Sequence, residues 1–238
     1  MKVLEVFLIL IFVNVTNVIA ATDYCKLCTN HIACNNTGTF ANACSSDAVI
    51  AELSQAEKNL IVIVHNQLRN KLAGGMLQGF QSATNMSLVA WDSELAQLAE
   101  LNVRQCEMKH DHCRSTDNYP YTGQNLAETT IYSIYPNINT IIVYNINAWF
   151  DEYKLTNQTQ MSSCCQDGSG HFTQLIQYRT IAIGCALAIF TNQDTKTDLM
   201  ACNYSFGNIL EYPVYIAGPA ASTCANGNDK VYKNLCQI

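Results

Sequence analysis

The chain has 238 residues, with 13 Lys and Arg against 19 Asp and Glu, so its formal net charge is −6. That sign excludes the basic, phosphate-neutralising surface that nucleic acids and anionic membranes require of a partner. Hydrophobic residues make up 49% of the chain, enough to bury a core, and the length suits a single domain.

In chain order the first predicted element is a leader. Lys2 gives a positive start, residues 6–13 an apolar run, and Val18-Ile19-Ala20 a small-residue ending. The pattern predicts a secretory signal over 1–20, cut after Ala20, and hence a secreted, extracellular protein. Asn14 and Asn17 interrupt the run short of the ~20 apolar residues a membrane span needs, so no transmembrane segment is expected. All 12 cysteines lie beyond the leader. An even number behind a signal reads as disulfides, and Cys25-Lys26-Leu27-Cys28 without a second CxxC is a weak zinc motif. Cys25, Cys28, Cys34 and Cys44 crowd residues 21–50, a segment with little apolar periodicity that is expected to be an arm ordered by its bridges. The triplets at Asn35, Asn85, Asn157 and Asn203 fit N-glycosylation acceptors.

Ser54 and Glu57 form a capping box, and Leu60, Val64, Leu68 and Leu72 then recur at helical spacing until Gly74-Gly75. Asp92 caps a second helix carrying Leu95, Leu98, Asn102 and Cys106 on one face. After a polar loop, Asn139 is the expected cap of a third helix with Ile142, Ile146, Trp149 and Tyr153. A short fourth helix begins near His171. Residues 180–191 and 199–205 are β-branched and small apolar runs, with a polar turn between them. As an antiparallel hairpin with Cys185 opposite Cys202, they put Phe190 opposite Thr197 across a six-residue loop. Helices followed by a hairpin make the fold class α+β.

Five histidines, His31, His65, His110, His112 and His171, are the candidates for chemistry. There is no nucleophile elbow, phosphate loop or HExxH. His65, inside an amphipathic helix, is expected to be a hydrogen-bonded packing residue. His110 and His112 sit between Cys106 and Cys113, in a loop that bridges would hold still.

Three motifs resemble the CAP superfamily of cysteine-rich secretory proteins, antigen 5 and pathogenesis-related 1. They are Gly170-His171-Phe172-Thr173-Gln174-Leu175-Ile176, Leu199-Met200-Ala201-Cys202-Asn203-Tyr204 with Gly207-Asn208, and His65-Asn66-Gln67-Leu68-Arg69. The first lacks the tryptophan usual after its isoleucine, having Gln177; the second has Phe206 where a proline-containing turn is common. Lys109-His110-Asp111-His112-Cys113-Arg114, Gly123-Gln124-Asn125-Leu126-Ala127 and the cysteine-rich arm are similar to the insect antigen 5 branch.

The resemblance implies an α-β-α sandwich, a small antiparallel sheet between helical layers, for a domain over 51–212 followed by an extension over 213–238. It implies bridges Cys25–Cys34, Cys28–Cys113, Cys44–Cys106 and Cys185–Cys202. Cys224–Cys236 is expected as a local pair. Cys164 and Cys165 either bridge each other or one of them takes Cys224 or Cys236. It also implies a cleft where His110, His171 and Glu152 meet, with Gln124 in a position usually held by glutamate. Glutamine cannot neutralise a cation or act as a base. The cleft is expected either to hold a divalent cation, zinc foremost, or to be a hydrogen-bonded cluster. The functions weighed are a monomeric, non-enzymatic binder of a small hydrophobic ligand such as a lipid, sterol or eicosanoid, an interaction protein for an extracellular target, and a metal-dependent hydrolase. The missing acid disfavours the last.

Overall fold

Ser54 and Glu57 cap the first long helix reciprocally: Ser54 Oγ accepts from Ala56 N at 3.2 Å, and Glu57 Oε2 accepts from Ser54 N at 2.8 Å. The computed structural model that contains this helix describes residues 22–131, 137–165 and 168–238, so the expected leader over 1–20 lies outside the described residues. The elements are α1 (Tyr24–Leu27), β1 (Val49–Ile50), α2 (Gln55–Ala73), β2 (Ala90–Trp91), α3 (Ser93–Val103), β3 (Gly123–Ile131), α4 (Ile138–Asp151), α5 (Gly170–Leu175), β4 (Ala182–Asn192) and β5 (Thr195–Tyr204). No helix among the described residues is long and apolar enough to cross a membrane.

The sheet runs β1-β4-β5-β3, with β2 joining β4 in parallel and the other pairs antiparallel. Its central hairpin has Cys185 opposite Cys202 and Phe190 opposite Thr197. The expected six-residue loop is in fact a two-residue turn, because pairing continues to Asn192 opposite Thr195. Gln193 and Asp194 both take left-handed φ values, 45° and 65°, the twist a two-residue hairpin turn needs. Strand β3 lies inside the region read as a polar loop. Its Gln124 and Asn125 are buried amides, tolerated because each finds hydrogen-bond partners, so an apolar alternation was never there to see.

Helix α3 covers one face of the sheet, Ala99 and Val103 packing on Leu126, Ala186, Ala188, Leu199 and Ala201. Gly184 permits this close approach: a Cβ there would meet Ala96 N, Asp92 O and Leu95 C. Helices α2, α4 and α5 cover the other face, with Ile61, Ile142, Ile146 and Phe172 against Ile183, Leu187 and Met200. Burying a side chain such as Phe172 contributes roughly 1.5–3 kcal/mol. The result is the α-β-α sandwich. Helix α4 is capped by Asn137, whose side chain accepts from Asn139 N at 2.8 Å, two residues before the expected cap. Tyr153 falls beyond it, in a 3-10 turn spanning Glu152–Leu155.

The buried stripe of α2 differs from the one predicted. Leu60 and Leu68 are only partly buried, whereas His65, Asn66 and Arg69 are interior. Each polar group is used. Asn66 donates to Val89 O and accepts from Val89 N, both at 2.9 Å. Arg69 is fully buried and donates to the carbonyls of Ser87, Leu175, Gln177 and Thr180. Burial lowers its pKa to about 9, and it stays charged at neutral pH.

The arm docks on α3 and the loop after it. Ile32 N donates to Cys113 O and Ala41 N to Arg104 O, both at 2.9 Å. The bridges present are Cys25–Cys34, Cys28–Cys113, Cys44–Cys106, Cys164–Cys165, Cys185–Cys202 and Cys224–Cys236. The segment over 213–238 packs into the core through Val214, Tyr215 and Leu235. Of the four acceptor triplets, Asn35 and Asn157 are exposed and Asn85 is half-buried. Asn203 is corrected: it is fully buried and tied to Leu95 O, so its amide cannot receive a glycan in the fold.

Candidate functional site

His171 stands at the start of α5, opposite the end of α4. Both carboxylate oxygens of Glu152 are spent on it and its neighbour. Oε1 accepts from His171 Nδ1 at 2.6 Å, while Oε2 accepts from His171 N at 2.9 Å and Phe172 N at 3.3 Å. A carboxylate only accepts, so Nδ1 carries the proton and the lone pair lies on Nε2. Asp151, the neighbouring acid, is exposed and bonded to Lys154 at 2.6 Å, away from the site.

His110 comes from the loop after α3. Its Nδ1 donates to Gln124 Oε1 at 2.8 Å, which leaves its lone pair on Nε2 as well. Gln124 is on the edge strand β3, beside Asn125, whose Nδ2 donates to His171 O at 3.0 Å and to Tyr204 Oη at 3.2 Å. Strand β3 thereby joins the two histidines, one from each helical layer. Together with Arg114, Gln174 and Asn208 they line one open cleft of about 590 Å³. Two amide oxygens on this wall, Asn125 Oδ1 and Asn208 Oδ1, have no donor among the described residues.

All four residues that the sequence singled out therefore reach one cleft, but in unequal roles. His110 and His171 present nitrogens with no hydrogen-bond partner among the described residues. Glu152 orients His171, using one oxygen on its ring and the other on the backbone N–H groups of His171 and Phe172. The one set of three ligand groups within 4.8 Å of one another among the described residues is Cys28, His31 and Cys113, where the arm meets the loop after α3. It does not suit a metal: the two cysteines are bridged to each other. His31 uses both nitrogens, donating to Ser115 O at 2.7 Å and accepting from Ala33 N at 3.0 Å. The cleft pair offers two oriented imidazoles, a ligand type that borderline divalent cations take.

Behind the cleft lies a buried chain. His65 Nδ1 donates to Ile61 O at 2.8 Å, so its Nε2 accepts from Tyr204 Oη at 3.0 Å. Burial pushes the imidazole down to about 4 and the phenol above its ordinary value. His65 is the packing residue expected. Tyr204, Asn125 and Asp111 were not singled out for the site, and their single signal was position: Asp111 between two histidines, Tyr204 and Asn125 each next to a motif glutamine or asparagine.

Residues 62–204 match the model of the cysteine-rich secretory protein family, CAP. The chain is 46% identical over 162 residues to the antigen 5 like allergen Cul n 1 of Culicoides nubeculosus, covering 66% of this chain and 73% of that protein. It is 34% identical over 232 residues to venom allergen-1 of Aedes aegypti, covering 90% and 87%. The crystal structure of NaASP2 with Zn2+ shares the fold, with a TM-score of 0.66 at 23% identity, over 81% of this chain and 99% of that one. With the motifs, the sandwich and these matches in agreement, the chain belongs to the cysteine-rich secretory protein (CAP) family, alongside antigen 5-like and venom allergens.

Proposed function

We propose that this is a secreted, non-enzymatic binding protein whose cleft takes one divalent cation on His110 Nε2 and His171 Nε2. The observation that carries the reading is that each imidazole is pinned through Nδ1, so both lone pairs are left for the cleft. Zinc is the ion named for NaASP2 and one that suits imidazole. Such an ion supplies a positive centre to which a carboxylate or other anionic group of a partner can add. With two protein ligands, affinity is modest, since structural zinc sites use four. A hydrolase reading is weaker, because a general base needs a free oxygen near a bound water. Glu152, the one carboxylate lining the cleft among the described residues, is held by His171 and Phe172, and Gln124 cannot serve. The bridges and the predicted leader support export. Calorimetry of zinc binding to the wild type and His171→Ala tests the cation site. Loss of binding in the variant is expected; equal binding by both, or none by the wild type, rejects it.

A groove on the α3 side favours a small hydrophobic ligand as a second capacity. Ile50, Leu53, Trp91, Ala96 and Ala186 line about 430 Å³ there, and Lys58 Nζ lies 5.9 Å from the Trp91 ring. Glu52, Ser93, Gln97 and Glu100 share that wall, so the apolar residues suit an acyl chain and Lys58 is the cation that an acidic head would need. A long-chain fatty acid should alter Trp91 fluorescence, and Lys58→Ala should weaken that response; a Trp91→Phe protein with the same affinity would place the ligand elsewhere.

A further inference from the structure

Asp111 sits between two solvent-facing histidines, yet its own side chain is 1% exposed. Its Oδ1 accepts from Asn102 Nδ2 at 2.6 Å and from Gln105 Nε2 at 3.5 Å. Its Oδ2 accepts from Gln124 Nε2 at 2.8 Å and from Arg114 Nε at 3.1 Å. Arg114 Nη2 also donates to Asp111 O at 2.6 Å, closing the turn around the carboxylate. A buried carboxylate is costly without such partners, and this one has a guanidinium and three amides.

The consequence falls on Gln124. A carboxamide can lie either way round, and its two ends differ little in shape. A carboxylate accepts only, so Asp111 holds the amino end of Gln124 toward itself. The second N–H goes to Asn203 Oδ1 at 3.0 Å, and Asn203 is itself fixed because its Nδ2 donates to Leu95 O at 3.1 Å. The oxygen of Gln124 is then the end that meets His110. Were the amide reversed, its N–H would face Nδ1, Nδ1 would have to accept, and the proton would move to Nε2.

We infer that Asp111 is a positioning residue that sets the tautomer of His110 through Gln124, keeping the Nε2 lone pair toward the cleft. The inference rests on the cation reading above, for which that lone pair is a ligand. The two histidines are thus served alike: Glu152 acts on His171 directly, and Asp111 acts on His110 through an amide. A neutral glutamine at this position works because a carboxylate stands behind it.

The test uses the full chain without metal. Long-range proton–nitrogen NMR, above the histidine titration range, reads which ring nitrogen of His110 is protonated. The wild type should show Nδ1–H. Asp111→Ala, which removes the acceptor, should shift His110 toward Nε2–H and weaken zinc binding about tenfold, the scale of lost second-layer partners. Gln124→Met removes the intermediary while leaving Asp111 and its other partners, and should give the same tautomer shift. An Nε2–H tautomer in the wild type, or an unmoved Nδ1–H in either folded variant, overturns the inference. If the tautomer shifts but the wild type binds no zinc, the relay stands and the cation reading falls. If zinc binds to the wild type and the tautomer never moves, the relay alone falls.

Discussion

Tyr204 donates its hydroxyl proton to His65 Nε2 at 3.0 Å in the middle of the core, across the contact between α2 and β5. The hydrogen bond holds only while His65 is neutral. Its pKa falls from 6.5 to about 4 on folding, chiefly through burial. As pH drops, the unfolded chain takes up this proton first. The stability His65 contributes is therefore whole above pH 6.5 and is lost progressively between 6.5 and 4, by up to about 3 kcal/mol. His65→Phe should be less stable at neutral pH by about 1–3 kcal/mol, because the Tyr204 hydroxyl loses its acceptor. It should also lose its share of the acid sensitivity. Urea unfolding with bridges intact, at neutral pH and near pH 4, checks both; an unchanged slope with pH would refute the assignment.

Asp198 works in the opposite sense over nearly the same range. It is fully buried in the sheet, Oδ1 accepting from Asn145 Nδ2 at 3.3 Å and Oδ2 unpartnered among the described residues. Burial raises its pKa from 3.8 to about 6. Its contribution is present below pH 3.8 and lost as pH rises through about 6. In the wild type the two trends offset each other between about pH 4 and 6. Asp198→Asn should gain about 2–3 kcal/mol at pH 7 and uncover the His65 trend as a steeper fall toward acid. A variant less stable than the wild type at pH 7 would mean that the carboxylate has a role its contacts do not reveal.

What could be read in advance follows from how each element declares itself. The helices did so through caps and apolar spacing, as at Ser54 and Asp92, and the hairpin through the register that puts Cys185 opposite Cys202. Strand β3 stayed hidden because Gln124 and Asn125 are buried for their hydrogen bonds, and a polar strand has no apolar alternation. The same holds for the site. His110, Gln124, Glu152 and His171 came from the resemblance, whereas spacing picked out none of them. That Glu152 orients His171 depends on a meeting of α5 with the end of α4, nineteen positions apart, which linear spacing does not encode.

Arg69 ties the end of α5 to α2. Its Nη1 donates to Leu175 O at 2.8 Å and Gln177 O at 3.0 Å, and its Nε and Nη2 reach Ser87 O and Thr180 O. Arg69→Met keeps the volume and orphans the carbonyls of Ser87, Leu175 and Thr180, each worth about 1–3 kcal/mol, while Gln177 O keeps Thr180 N as a donor. A loss of at least 3 kcal/mol is expected, with α5 loosening first. Hydrogen exchange should accelerate at Phe172 and Leu175 more than at Leu95 and Leu98. Arg69→Lys, with three donors, should recover part of the loss. Equal exchange in both helices would show that Arg69 supports the fold evenly and not α5 in particular.

The arm is held at three places, and they predict where it opens. Cys28–Cys113 fixes its start, and Cys44–Cys106 its middle. Its end is pinned to the hairpin by Asp47, which accepts from Thr191 Oγ1 at 2.7 Å and pairs with Lys196. The Lys196 pair is half-exposed and contributes little alone. Replacing both Cys44 and Cys106 by serine avoids a stray thiol and removes a loop closure worth about 2–4 kcal/mol. What remains at the middle is the Ala41 N to Arg104 O bond and the Arg104 guanidinium 5.0 Å from the Phe40 ring. Limited proteolysis of the double variant should cut first within residues 35–44, between the surviving anchors, while α2 and the sheet resist. First cuts at 45–50 would show that Asp47 does not hold the end of the arm. Cuts inside α2 at the same rate would show that the arm and the core open together, which the separate anchoring of the arm argues against.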